Sequence, residues 1–393
     1  MRSRFPAVGS RLRVIQVVPS LAPARGGPSR SVPDLCRALS AAGVDVTLVA
    51  LWGWREGATL NGDYEGVKVR LVPAASGTAQ FPSLRFVRTL REECRRADVI
   101  HIHSLWNPVA TVTASVARRL RVPYVISPRG MLQQTSMRRH SWRKAFYYAL
   151  VERRTVAGAA AFHFLSEDER RDSRLINENR QMTIVAPNGV DSNLGADQRA
   201  GVFRSRLGLD PHSRVILFLG RLHWSKGLEL QAEAFIQIAN RMDGVVWVLV
   251  GKDEGVGATI RQRMEQAGLM NRVFLTGELK REQCLSALRD ADVFVLSSRH
   301  EAHSMALNEA MATGTPCVIT RSVGFRWLSE YGAGVETDST ADALANGICE
   351  ALQSEAATLE RVEAARRLVH DKLSWSRVAV EMVRGYEAVL IGR

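Results

Sequence analysis

Short Val- and Ile-rich runs alternate with stretches of helical period along this chain, and the alternation occurs twice. In the first half the apolar runs lie at 14–18, 44–51, 67–72, 99–103, 123–127, 161–166 and 183–187. In the second half they lie at 215–220, 245–251, 273–277, 293–298 and 316–320. Runs that are apolar throughout, instead of at every other residue, suit strands covered on both faces, as in a parallel sheet flanked by helices. The series is interrupted at PNGVDSNLGAD (187–197), which is rich in Asn, Gly and Asp and poor in apolar residues. The expectation is an α/β chain of two doubly wound domains, 1–190 and 191–375, with a closing helix at 376–393. The 393 residues are enough for two cores.

Open parallel sheets bind ligands beyond the carboxyl ends of their strands, and two such domains facing one another would form a cleft for a small molecule. Each motif is therefore weighed by whether it follows a strand. The first strand runs into Gly26-Gly27-Pro28, ahead of a helix beginning near Ser29 or Ser31. This pair is either a plain turn or a place where backbone N–H groups approach an anion. Neither GxGxxG nor a P-loop is present. In the second half Arg221 directly follows a strand and Lys226 stands where the next helix should begin. Two cations there suit a diphosphate. The run VFVLSS then leads into EAHSMALNEAMATGTP. The pattern predicts a helix capped by Ser304 and stopped at Gly314, with Glu301 in the loop before it and Glu309 in its second turn. Both carboxylates can accept hydrogen bonds from sugar hydroxyls, while the helix N-terminus faces a phosphate.

Charge divides unevenly. The net is +13, yet residues 1–190 carry 29 Lys and Arg against 14 Asp and Glu, and the remainder is slightly acidic. Ten Lys and Arg fall between Arg118 and Arg154 with Glu152 as the one acid. There Trp142, Phe146 and Leu150 recur at helical spacing beside Arg139, Arg143 and Lys144. Such a helix either lies in an anionic membrane interface or packs its stripe on its own sheet. Five scattered cysteines without a CxxC read as reduced thiols of a cytoplasmic protein, and no apolar run is long enough to span a bilayer. Asp290-Ala291-Asp292 imitates a metal-binding DxD but precedes its strand, so it reads as a feature of a helix end and strand start. His101 and His103 share one strand face, with no third metal ligand evident nearby, and His103 is the better candidate for a cleft contact.

Taken in order, the GG loop, DVIHIH (98–103), PNGVD (187–191), GRL…SKG (220–227), TGEL (276–279), ADVFVLSS (291–298) and E-x7-E (301–309) resemble the retaining GT-B glycosyltransferases of family 4. SPRGML (127–132) is similar to members that build exopolysaccharide, capsule or O-antigen. The resemblance implies a GT-B fold of two Rossmann-like domains facing an interdomain cleft, with the last helix returning to the first domain. It implies transfer of a hexosyl unit from a nucleotide-diphosphate sugar to a saccharide or polyprenyl-diphosphate-linked acceptor, without metal or cofactor. Arg221 and Lys226 would neutralise the diphosphate, Glu301 would bind the donor sugar and Glu309 the ribose. Thr276, Gly277, Glu278 and Leu279 would meet the base, and Gly26 and Gly27 would close over phosphate and sugar. Two departures stand out: Arg129-Gly130 replaces a family His-Gly, and His303-Ser304 replaces an aromatic-Gly pair. His103 and Arg129 are thus the acceptor-side candidates. The rival readings are a nucleotide-sugar 2-epimerase of the same architecture and a basic nucleic-acid-binding protein. The basic stretch lacks a recognisable nucleic-acid module, so no nucleic acid is expected. A cytoplasmic enzyme, peripheral on the inner face of the plasma membrane, is the expected setting.

Overall fold

The computed structural model describes residues 11–22, 26–53, 62–134, 146–173, 175–176, 180–197, 199–299 and 301–392. The chain divides into two compact units, Met1–Gly189 with Trp375–Arg393, and Val190–Ser374.

Unit 1 is built on eight strands: β1 (Arg13–Ser20), β2 (Asp45–Trp52), β3 (Gly62–Tyr64), β4 (Val67–Pro73), β5 (Val99–His103), β6 (Tyr124–Ser127), β7 (Ala161–Phe164) and β8 (Met182–Val185). Their order across the sheet is β3-β4-β2-β1-β5-β6-β7-β8. All neighbours are parallel except the short edge pair β3 and β4. The chain works outward from β1 to one edge, then returns to β5 and works to the other. The change of direction leaves a crevice between the carboxyl ends of β1 and β5.

Apolar clusters cover both faces of this sheet. Phe86, Leu90, Tyr124, Phe162 and Phe164 fill one of them. The other joins α1 (Pro28–Ala41) to the chain's last helix, Trp375–Ile391. That last helix buries Val378, Ala379, Met382, Tyr386 and Val389, a single stripe at helical spacing. Full burial of Val378, Met382 and Val389 is worth roughly 1.5–3 kcal/mol each. Gly385 permits the close approach, because a Cβ there would stand 2.6 Å from Ile184 Cδ1 of β8.

Unit 2 holds β9 (Arg214–Leu219), β10 (Val245–Val250), β11 (Val273–Gly277), β12 (Val293–Leu296), β13 (Cys317–Thr320) and β14 (Val335–Thr337), ordered β11-β10-β9-β12-β13-β14 and parallel throughout. Its switch point lies between β9 and β12. The helices that bear on the site are α2 (Arg281–Asp290) and α3 (Met305–Thr313); the C-terminal helix of unit 1 becomes α4. The fold is GT-B, two Rossmann-like α/β units, as expected. Two strands escaped the sequence reading: β3 and β14, each three residues at or near a sheet edge and too short to show a period.

Candidate active site

The switch point of unit 2 gathers several of the residues singled out from sequence. The end of β9 passes close to the end of β10: a Cβ on Gly251 would stand 1.8 Å from the Gly220 carbonyl oxygen, so only glycine fits. Beyond Arg221, His223 starts a single 3-10 turn, Trp224–Lys226. Gly227 ends it in the left-handed conformation, with φ 64°. A side chain at 227 would meet the Ser297 carbonyl oxygen at 2.2 Å. Ser297 Oγ donates to the Gly227 carbonyl at 2.9 Å. The turn is thereby fastened to the end of β12.

This fastening places the Lys226 ammonium in an ion pair with Glu301 Oε1. Ser298 Oγ donates to the same carboxylate oxygen at 2.7 Å. The two charged side chains are only 18% and 13% exposed, so water screens the pair weakly. Behind them α3 begins where the sequence predicts. Ser304 accepts from Leu307 N at 3.3 Å, and Gly314 closes the helix in the left-handed conformation. His303 Nε2 lies 2.8 Å from Asn308 Nδ2, with its ring edge-on to Phe325.

The other expected donor residues stand at carboxyl ends of the same sheet, each with its own partner. Arg221 is turned to Glu254, at 2.8 Å, and its side chain is largely exposed. Glu309 is buried, and its Oε1 receives Arg281 Nη1 of α2 at 3.0 Å. Thr276 and Gly277 end β11, and Glu278 and Leu279 follow it. Gly277 takes φ 72° and its carbonyl accepts from Gly251 N at 2.9 Å; Glu278 is exposed and Leu279 half-buried against the core. Arg281 and Glu254 were missed from sequence, since nothing in their spacing marks them as partners of Glu309 and Arg221.

Unit 1 has a cluster at its own switch point. Gly26 has φ 89° and Gly27 precedes α1, whose first residue is Pro28, one earlier than expected. Among the described residues a Cβ on either glycine would meet nothing within 4 Å. Ser104, Trp106 and Arg129, all non-glycine, take left-handed backbone at the ends of β5 and β6. Such conformations cost of order 1–3 kcal/mol each and gather at functional sites. Arg129 is held there through its neighbour: Gly130 N donates to Glu169 Oε1 at 2.5 Å, and Leu165 N to Glu169 Oε2 at 2.7 Å.

The Arg129 guanidinium donates to Ser31 Oγ at 3.0 Å, to Asn188 Oδ1 at 3.2 Å and to His103 Nδ1 at 3.2 Å. Burial lowers its pKa to about 10, against the pull of the Glu169 carboxylate, so it stays charged at neutral pH. His103 Nε2 meets Gln16 Oε1 at 2.7 Å; Gln16 Nε2 donates to the Tyr386 hydroxyl at 2.9 Å; that hydroxyl meets His101 Nδ1 at 2.7 Å. An amide oxygen only accepts, so His103 carries its proton on Nε2 and accepts from Arg129 on Nδ1. The Tyr386 hydroxyl thus accepts from the Gln16 amide and links it to His101.

The third histidine, which sequence reasoning did not find, is His163 of β7. Its ring is 5.2 Å from that of His101, and its Nε2 donates to the Ala186 carbonyl at 2.8 Å. Desolvation holds His101 and His103 well below the ordinary histidine range and pushes His163 down to about 3. All three are neutral. Among the described residues no group of three or more His, Cys, Asp or Glu is arranged to hold a metal ion.

The DxD lookalike is structural. Asp290 accepts from the backbone N–H groups of Gly201, Phe203 and Arg204, and Asp292 from Val215 N at 2.6 Å while pairing with Arg204. In the basic stretch, Arg139, Trp142, Arg143 and Lys144 lie outside the described residues. Phe146 and Leu150 are both about two-thirds exposed. No helix among the described residues is long and apolar enough to cross a membrane.

The double parallel-sheet architecture, with a Lys–Glu pair at one switch point and a guanidinium at the other, defines the class as a two-unit, Rossmann-like α/β protein. Family comparison agrees on both units. Residues 26–189 match the glycosyl transferase 4-like domain, and residues 202–368 match glycosyl transferases group 1. Each unit thus carries a domain matched by a glycosyltransferase family model.

Among curated relatives, a D-inositol 3-phosphate glycosyltransferase of Segniliparus rotundus is 29% identical over 54% of this chain and 48% of its own length. The chain thus spans about half of that relative. A GDP-mannose:cellobiosyl-diphosphopolyprenol alpha-mannosyltransferase of Xanthomonas oryzae is 26% identical over 82% of this chain and 83% of its own. Anabaena HepE, solved in complex with UDP and glucose, superposes with a TM-score of 0.74 at 17% identity, covering 96% of this chain and all of that one. That likeness bears on the fold.

Proposed function

We propose that the protein transfers a hexosyl unit, with retention at the anomeric carbon, from a nucleotide-diphosphate sugar to a saccharide carried on polyprenyl diphosphate. The setting is surface-polysaccharide assembly on the cytoplasmic face of the membrane. The observation that carries this reading is the Lys226–Glu301 pair at the β9/β12 switch point, in front of the N-terminus of α3. A diphosphate there takes over as partner of the Lys226 ammonium, joined by Arg221 as it leaves Glu254. Glu301, released from the lysine, accepts from a hydroxyl of the sugar. Glu309, steadied by Arg281, serves the ribose, and Thr276–Leu279 the base. Ser304 and His303 border the phosphate and sugar.

As the donor breaks, negative charge gathers on the departing diphosphate while the sugar becomes oxocarbenium-like. Fixed cations at that oxygen stabilise the transition state more than the ground state. The scheme asks for no metal or cofactor. The mannosyltransferase relative, named for a diphosphopolyprenol-linked acceptor, supports the acceptor class. The exposure of Phe146 and Leu150, together with the basic first half, supports contact with an anionic bilayer.

The test joins binding to turnover. UDP, GDP and ADP are screened for a rise in melting temperature, and the Lys226→Ala variant is assayed with the donor so found. A loss of about 10²–10³ in kcat with the fold retained is expected. Near-normal turnover in Lys226→Ala would remove the assignment. Interconversion of the sugar in donor alone would identify an epimerase instead.

A further inference from the structure

We infer that unit 1 carries an anion-recognition site of its own around Arg129, and that the saccharide it receives bears an acidic group, a carboxylate or a phosphate monoester. The inference rests on the reading of unit 1 as the acceptor-binding half.

Three separate segments bring groups to this guanidinium, which itself follows β6: His103 from the end of β5, Ser31 from the first turn of α1 and Asn188 from the loop after β8. Every one of the three partners is neutral. Among the described residues no carboxylate lies within 4 Å of the guanidinium. Glu169, the acid that acts on it from farther away, spends both oxygens on backbone N–H groups. Arg129 is half-buried, and a protein that draws a cation out of water ordinarily draws in its counter-charge as well, because an unpaired charge is costly there. Here the partners orient the cation without neutralising it. His103 is fixed as an acceptor by Gln16, so it cannot supply negative charge. The strained backbone at Ser104, Trp106 and Arg129 shows that the fold spends free energy on this arrangement. A planar guanidinium with neutral neighbours matches the two oxygens of a carboxylate or phosphate in fork geometry. The diphosphate of the donor has its own cations in unit 2, so this charge is available to a second anion.

Calorimetry on the full chain tests it with glucose, glucuronate and glucose 6-phosphate as probes. At least one acidic sugar should bind tenfold or more tightly than glucose, and whichever does names the acid. Arg129→Gln should bring it to the level of glucose while the nucleoside diphosphate binds as in the wild type. Asn188→Asp is the companion variant. It sets a carboxylate beside the guanidinium, keeps or raises the melting temperature, and should abolish acidic-sugar binding. Equal binding of glucose and both acidic sugars, or undiminished binding in Asn188→Asp, overturns the inference. So does acidic-sugar binding that is lost in Lys226→Ala, which would put the anion in the donor site. If no nucleoside diphosphate binds but an acidic sugar still does, the donor reading fails and this one stands.

Discussion

Arg129, Glu152 and Tyr386 show how much of this protein is decided by what a side chain meets. Glu152 is fully buried beside Trp106, whose backbone N–H it accepts at 2.8 Å, and burial raises its pKa from 4.5 to about 7. Between those values the folded chain holds a proton that the unfolded chain has released. The Glu152 contribution to stability therefore falls as pH rises from about 4.5 to 7 and stays low above that. Glu152→Gln keeps the shape and cannot ionise. Its unfolding free energy relative to wild type should be more favourable at pH 8 than at pH 5, by an amount on the order of 3 kcal/mol at most, read from urea unfolding at the two pH values. A difference that does not move with pH would show that the carboxyl is not held neutral. Tyr386→Phe removes the hydrogen-bond partner of His101 Nδ1 and an acceptor from Gln16, both buried. A loss of roughly 1–3 kcal/mol in urea unfolding is expected, and an unchanged midpoint would mean that the chain of hydrogen bonds carries no stability. Neither role was legible in sequence: His101 and Tyr386 are 285 residues apart, and a buried Glu reads like any surface one.

At the scale of elements, local chemistry was legible where it is self-contained. Ser304 and Gly314 mark the ends of α3 because a hydroxyl acceptor and a left-handed residue are what a helix needs at its two ends. Ser304→Ala should cost about 1 kcal/mol, with Ser304→Asp recovering most of it, both read from urea denaturation. Equal stability of the alanine and aspartate variants would argue that the cap is idle. The strands were legible for the same reason, being continuous apolar runs. β3 and β14 were not, since three residues are too few to show a pattern. The Gly220–Gly251 and Gly227–Ser297 contacts were hidden too, because they join strands far apart in the chain.

At the scale of the whole molecule, the uneven charge and the exposed Phe146 and Leu150 point one way. Flotation with vesicles containing anionic lipid should recover the protein at low salt. Recovery should fall as salt rises and fall further in the Phe146→Ser/Leu150→Ser double variant. Equal recovery with neutral vesicles would discard the electrostatic part. Sequence alone determined that there are two parallel-sheet units, where most strands and the capped helix lie, and which residues follow strand ends, because each of these depends on neighbours a few positions away. Only the tertiary structure decided that Lys226 meets Glu301, that Arg221 turns to Glu254, and that Arg129 is surrounded by neutral groups. Those outcomes depend on strand order, and strand order is set by how apolar faces are covered across the whole unit.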